Sequence, residues 1–440
     1  MKRALLACAA ALYLCAAAQG QNPIIRDQYA ADPTARVFGG KIYLYASHDI
    51  ISPVDPGRRW FAMADYHVFT SDDLIGWTDL GVILRQEDVP WGKPDGYAMW
   101  APDCVFRNGR YYFFFPDAPS EGTGFRVGVA VSLSPSGPFT PEAGPIEGVE
   151  GIDPCVLVDR DGTPYLYWSG NGELRGAKLR DDMTALDSAP ARVDGNLPEG
   201  FKEGPFVFEK DGRYYLTYPW VQDKTETLAY AMGDSPLGPF EFKGIIMDRH
   251  ADGCWTNHHS LVEYKGQWYL FYHHNDYSPQ FDKNRSARID KVIFNADGTI
   301  QPVTPTLRGV GVTPAREKIQ MDRYSAVCPV GTWIDFLDPS DVFAGWYVCL
   351  ARPSVWVEYG DVDFGSESPS AAVVRVLAAG GGRLAIGEGE GASFVEVDLP
   401  QCSDWTEVRA SLHQDVRGVR SVRAKLTEGS DVRIDWIRFE

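Results

Sequence analysis

An all-β chain, a five-bladed β-propeller followed by a jelly-roll-like β-sandwich, is the fold the sequence predicts, and three observations predict it. A hairpin unit recurs with turn glycines at Gly40, Gly109, Gly162, Gly212 and Gly266, at intervals of 69, 53, 50 and 54 residues. Each copy runs from a polar residue through a short apolar stretch to the glycine and then into an aromatic stretch such as Arg110-Tyr111-Tyr112-Phe113 or Gln267-Trp268-Tyr269-Leu270. A period of about 50 residues built on such hairpins is the mark of a propeller blade, because one blade cannot bury both faces of its sheet alone. A second turn element follows each hairpin, from Thr70-Ser71-Asp72-Asp73 to Asn295-Ala296-Asp297-Gly298, and gives the same count of five independently of the glycines. Beyond Thr313 the rhythm changes to short alternating strands, such as Ala371–Leu377 and Val432–Phe439, which fit an antiparallel sandwich.

In chain order, Lys2 and Arg3 precede an apolar run from Ala4 to Ala18, and Ala18-Gln19-Gly20 reads as a small-x-small cleavage site. Residues 1–20 are therefore expected to be a signal peptide, residues 21–315 the propeller and residues 322–440 the sandwich. Export to the periplasm or the medium follows, and no transmembrane segment is expected, because no apolar run reaches the length a bilayer demands. The first blade carries insertions at Ile50–Tyr66 and Arg85–Tyr97, which should stand at loop ends and wall off the channel mouth into a pocket. After the leader, six cysteines remain without metal-type spacing. They are expected as buried thiols, with Cys328 to Cys349 or Cys402 the pairing that an oxidising compartment would permit.

The formal charge of -18 excludes nucleic acid and anionic membranes as partners by repulsion, whereas 13 Trp and 21 Tyr suit a carbohydrate, whose C–H faces stack on rings. The residues six to nine positions before the turn glycines are Asp32, Asp103, Asp153, Glu203 and His258, so four carboxylates and an imidazole are aimed at one axis. Asp32-Pro33 and Asp153-Pro154 open inner strands, with Glu203-Gly204-Pro205 as a variant, and the proline is expected to hold the acidic residue extended. Converging carboxylates repel one another, so three in register suggest a bound ligand. They suit hydrolysis of a glycosidic bond, where one carboxylate activates water, a protonated carboxyl serves the leaving oxygen and a third keeps that carboxyl protonated. A tight metal cage fits the set less well, since one histidine and spread carboxylates do not make a closed shell of ligands.

Ala31-Asp32-Pro33, Trp100-Ala101-Pro102-Asp103, Ile152-Asp153-Pro154, Glu203-Gly204-Pro205-Phe206, His258-His259-Ser260 and Arg285 ahead of Ile289-Asp290-Lys291 together resemble glycoside hydrolase family 43, over roughly residues 24 to 311. The resemblance implies an inverting enzyme with Asp32 as general base, Glu203 as general acid and Asp153 as modulator of the acid's pKa. It also implies that Trp100, Arg285, His258 and Asp103 surround the substrate, with Asp103 behind the others. No cofactor is required. A structural calcium ion in the channel, held by His258 through water, is the cation the resemblance allows. The substrate is expected to be an oligosaccharide or polysaccharide. The implied activity is exo-acting release of terminal α-L-arabinofuranose, with β-D-xylosidase activity or a non-catalytic glycan-binding propeller as alternatives.

The C-terminal part resembles carbohydrate-binding module family 6 through Val355-Trp356-Val357-Glu358-Tyr359, Val362-Asp363-Phe364-Gly365 and the ending Ile434–Phe439. It departs from that pattern with Cys402 in place of the aromatic platform three residues before Trp405, and with Asp431 where an asparagine is usual. With those departures the resemblance implies packing against the propeller rather than sugar binding.

Overall fold

The computed structural model describes residues 21–57, 59–250 and 253–440. The expected signal peptide lies outside the described residues. The regular structure of the described chain is all strand apart from one-turn 3₁₀ helices at Gln86–Asp88 and Val342–Ala344. Among the described residues no helix is long and apolar enough to cross a membrane.

Five antiparallel sheets follow one another in chain order, each a simple meander. Their innermost strands are Ala31–Phe38, Asp103–Arg107, Ile152–Val158, Phe206–Lys210 and His259–Tyr264. Four sheets have four strands and the fifth has three. On the fifth, the N-terminal segment runs beside the outermost strand Ser286–Val292. Ile24 N–H donates to Ala287 O at 2.9 Å and Ala30 N–H to Arg285 O at 3.0 Å. The Asn22 side chain adds bonds of 3.0 Å to Ile289 O and 2.9 Å from Ile289 N–H. The start of the chain thus closes the ring on its last blade, which removes an exposed sheet edge.

The turn chemistry explains the hairpins. Gly39-Gly40, Asn108-Gly109, Asp211-Gly212 and Lys265-Gly266 all take positive φ at both residues, the pattern of a type I′ turn, whose twist matches the flanking strands. The third blade differs. Val158 pairs with Pro164 across a longer loop, closed by Asp159 N–H to Thr163 O at 2.9 Å, and only Gly162 has positive φ there.

After the fifth blade come two six-stranded sheets packed face to face. Their facing sides share one apolar core that includes Val348, Val357, Tyr359, Val374, Ile386, Val397, Ala424 and Ile434. Alternation along Ala371–Ala378 and Val419–Gly429 puts those side chains inside, as the period of 2 in the sequence requires. The sandwich begins earlier than the sequence suggested. Thr313–Pro314 pairs in parallel with Trp356–Asp363, and Ile319–Gln320 pairs with Val432–Phe439.

The two units are joined by buried contacts. Tyr277 stacks on Trp346 at 5.0 Å and meets Phe343 edge-on at 5.1 Å. Gln21 Nε2 donates to Tyr359 Oη at 2.6 Å, and Arg323 donates to Tyr277 Oη at 2.9 Å and to Asn22 O. All six described cysteines are free thiols, so neither pairing considered for Cys328 is formed.

Candidate active site

One cavity of about 300 Å³ opens at the end of the ring where the inner strands begin, lined among others by Asp32, Asp153, Glu203, His258, Trp100 and Arg285. Six of the seven side chains singled out from the sequence therefore meet there. The seventh, Asp103, does not line it.

The local backbone explains both outcomes. Asp32 and Asp153 are not extended, as the following prolines suggested. They have φ of 50° and 56°. Between the pairs Ala31↔Ser47 and Thr34↔Tyr45, two residues, Asp32 and Pro33, face one on the partner strand, and Asp153-Pro154 repeats the pattern between Ile152↔Ser169 and Cys155↔Tyr167. Each is a β-bulge, where proline's missing N–H costs no ladder bond and a left-handed residue re-aims its side chain. Strain of this kind persists where function holds it. In the fourth blade the matching left-handed position is Gly204, φ 68°, and Glu203 reaches the cavity from one residue earlier with its longer side chain. A Cβ on Gly204 would sit 2.8 Å from Pro219 Cγ, so the site needs glycine. In the second blade the residue before proline is Ala101, which lines the cavity. Asp103 follows the proline and so points elsewhere. It is a cross-blade tie. Arg36 donates to it at 2.9 and 2.6 Å, and the backbone N–H groups of Cys104 and Val156 at 2.7 and 2.6 Å. Asp103 therefore stands behind the other channel residues, held by these bonds rather than facing the cavity.

Arg285 organises the floor. Its Nη1 and Nη2 donate to Asp32 at 2.7 and 3.2 Å, while Nε and Nη2 donate to the two oxygens of Asp49 at 2.9 Å each. Asp49 is fully enclosed and also accepts the Arg285 backbone N–H at 2.7 Å. His273 Nδ1 accepts the Asp32 backbone N–H at 3.2 Å, and its Nε2 lies 3.3 Å from Thr256 Oγ1. Burial alone would raise the Asp32 carboxyl, but the Arg285 guanidinium holds it well below the usual carboxylate range. Asp32 is therefore ionised at any pH near neutral.

Asp153 and Glu203 behave oppositely. Burial, then the neighbouring charges of Glu203 and Asp32, push Asp153 well above the ordinary range, although Gly204 N–H donates to it at 2.8 Å. Burial also raises Glu203, against the pull of Lys202. One environment thus keeps a carboxylate charged beside two carboxyls that favour holding a proton, the separation that acid and base roles require.

Several contributors escaped the sequence reading. Asp49, His273 and Thr256 hold Asp32 and its arginine. Glu226, fully enclosed and pushed up to about 8 by burial and by Glu203, accepts the Asn257 backbone N–H at 2.6 Å and so pins the segment Trp255–His258 that forms one wall. Nothing in the repeat marks it; a glutamate inside the apolar strand Thr225–Gly233 was the available signal. Trp60, Phe61 and Met63, from the first insertion, form the facing wall, as its position suggested. The second insertion does not reach the cavity, because Trp91 packs on Phe115 at 6.0 Å instead. Trp100 lines the cavity and leans on Phe125 at 4.4 Å.

A channel cation has few protein ligands available. Burial lowers the His258 pKa, leaving a neutral imidazole with a free lone pair. Calcium takes about 6–8 oxygens, and no cluster of three or more His, Cys, Asp or Glu ligand atoms includes His258 among the described residues. These donors fit a cation that keeps most of its water.

Comparison with known proteins agrees with this geometry. Residues 20–300 match the family described as Glycosyl hydrolases family 43. Xylosidase/arabinosidase 43A of Humicola insolens is 38% identical over 64% of this chain and 99% of its own. The structure of CoXyl43, a β-xylosidase/α-arabinofuranosidase from a compost microbial metagenome solved with xylotriose in a calcium-free form, superposes with a TM-score of 0.59 at 35% identity, covering 66% of this chain and 98% of that one. An arabinoxylan arabinofuranohydrolase from Bacillus subtilis, solved with cellotetraose, covers 96% of this chain and 99% of its own at 25% identity and a TM-score of 0.57, so the likeness extends over propeller and sandwich together. With a matching sequence over most of the ring and a matching fold, this chain belongs to glycosyl hydrolase family 43 and is a glycoside hydrolase.

Proposed function

We propose that the chain is an exo-acting, inverting glycosidase that releases terminal α-L-arabinofuranose from plant-type polysaccharides or oligosaccharides. The observation that carries the reading is the placement of Glu203 at a junction. The cavity holding Asp32 and Asp153 is about 300 Å³, and beside it lies a wider groove of about 670 Å³ that shares Ile152, Lys202 and Glu203 with it. A terminal sugar in the cavity and the rest of the chain in the groove would bring the glycosidic oxygen between them to Glu203.

In this mechanism Asp32, charged and fixed by Arg285 and His273, takes a proton from water as the water attacks the anomeric carbon. Glu203 gives its proton to the departing oxygen, so the leaving chain departs as a neutral alcohol. As modulator of the acid, Asp153 accepts the Gly204 amide and thereby holds the backbone next to Glu203, whose proton is kept in place by burial and by the nearby charge of Asp32. Trp100, Trp60, Phe61 and Trp255 supply apolar walls for the C–H faces of the ring. A hydrated calcium ion bound at His258 would add positive charge to a channel that carries Asp32 and Asp103. Catalysis itself rests on the three carboxyls.

Release of β-D-xylose is the second reading, supported by relatives whose names carry both activities. Initial rates on p-nitrophenyl α-L-arabinofuranoside and β-D-xyloside decide between them. Turnover of neither by the wild-type chain would sink both and leave a glycan-binding propeller. For the rest of the chain, we propose export directed by residues 1–20, and a sandwich that braces the propeller rather than binding sugar.

A further inference from the structure

The middle of the first blade carries a second constellation that shares no residue with the cavity. His48, on the strand Lys41–Asp49, and Asp65 and His67, on Met63–Ser71, each offer one ligand atom, all within 4.8 Å of one another. Ala46 pairs with His67 across these two strands, so His48, Asp65 and His67 stand on one face by the period of 2. All three are half-buried. His48 Nδ1 is 3.0 Å from Asp65 Oδ1, and His67 Nε2 is 3.6 Å from the same oxygen. Tetrahedral ligation with metal–ligand bonds of about 2.0–2.1 Å separates the ligand atoms by about 3.3 Å, and these two separations bracket that value.

The surroundings complete the pattern. The other nitrogen of His67, Nδ1, lies 3.0 Å from Asp79 Oδ2, and Gln28 Nε2 donates to that same carboxylate oxygen at 2.9 Å. A carboxylate on the far nitrogen fixes the tautomer of a metal-bound histidine and raises its basicity. Both nitrogens of His67 thus face carboxylates. With a metal, Nδ1–H serves Asp79 and the Nε2 lone pair is free to bind.

We propose that His48 Nδ1, His67 Nε2 and Asp65 Oδ1 form a zinc site with water as fourth ligand, oriented by Asp79, which ties the second and third strands of the first blade together. Two imidazoles and one carboxylate select zinc over calcium, which prefers oxygen alone.

The test uses untagged full-length chain equilibrated with zinc chloride, then freed of loose metal on a desalting column and assayed for zinc by mass spectrometry. One zinc per chain is expected, unchanged by excess calcium, and cobalt in its place should give the intense visible absorption of a four-coordinate ion. The His48→Ala/His67→Ala double variant should retain none, and Asp79→Asn should bind about 10- to 100-fold more weakly. No retained zinc in the wild-type chain, a cobalt spectrum of six-coordinate type, or full retention by the double variant would each overturn the proposal. The wild-type stoichiometry and the cobalt spectrum need no variant, so misfolding of a mutant does not blunt the test.

Discussion

Replacing Arg285 by lysine separates what the guanidinium fork does from what its charge does. The fork makes four hydrogen bonds to carboxylate oxygens, two to Asp32 and two to Asp49. An ammonium has three hydrogens on one nitrogen and cannot serve two carboxylates in the same plane, so at least one charge-assisted bond is lost. Such a bond is worth about 1.5–3 kcal/mol, and at about 1.4 kcal/mol per pKa unit the loss corresponds to roughly 1–2 units on the carboxyl it served. The sign follows from Asp32. Its carboxyl is depressed in the native site, so it stays a base until pH falls through that low value, and weakening Arg285 raises it. The acid limb of the kcat/KM profile on an aryl arabinofuranoside should therefore move to higher pH by roughly 1–2 units in Arg285→Lys. The alkaline limb, set by the raised Glu203, should stay where it is. An acid limb that does not move in a folded variant would refute the claim that Arg285 sets the charge state of Asp32.

Asp32→Asn and Glu203→Gln should each cut kcat by at least about 10²–10⁴-fold while circular dichroism and melting remain those of a folded chain; near wild-type turnover in either would remove its assigned role. Glu226→Gln probes stability instead. With a native pKa of about 8 against an ordinary 4.5, the protonated carboxyl stabilises the fold fully below the lower value, and that stability is lost as pH rises through the upper one. Urea denaturation should show the wild-type chain weakening by up to about 5 kcal/mol between those limits, and the glutamine variant should lose that slope. Asp103→Asn leaves Arg36 without its buried partner, so it should cost about 3–5 kcal/mol of stability with KM unchanged; a raised KM at full stability would restore Asp103 to the substrate site.

Much of this was legible in the sequence because a propeller repeats its information. Four hairpins with the same two-residue turn and a fifth closed by a longer loop around Gly162 set the blade number, and the acidic residues near the strand starts pointed at the axis. The glycines, however, are the wrong ruler for side-chain direction. Measured from the turn, Asp103 aligns with Asp32 and Asp153; measured from the proline at the bulge, Ala101 takes that place and Asp103 falls on the far side. The bulge itself was hidden, because proline's bias toward an extended neighbour is a local rule and the ring overrode it at Asp32 and Asp153. Asp49, Glu226 and His273 were invisible for a different reason. They belong to second or third strands of their blades, and only the closure of the ring brings them behind residues more than 20 positions away. The sandwich boundary was misjudged because the pairing of Thr313–Pro314 with Trp356–Asp363 spans two short segments with no periodicity of their own.

The central claim is that Asp32 and Glu203 act on opposite faces of one sugar with a water between them. Proton NMR of the first-formed product, recorded from the earliest minutes of hydrolysis of a p-nitrophenyl α-L-arabinofuranoside or β-D-xyloside, tests it most directly. The account predicts that the released sugar first appears as the anomer opposite to that of the substrate, β-L-arabinofuranose or α-D-xylose; first appearance of the same anomer would contradict it.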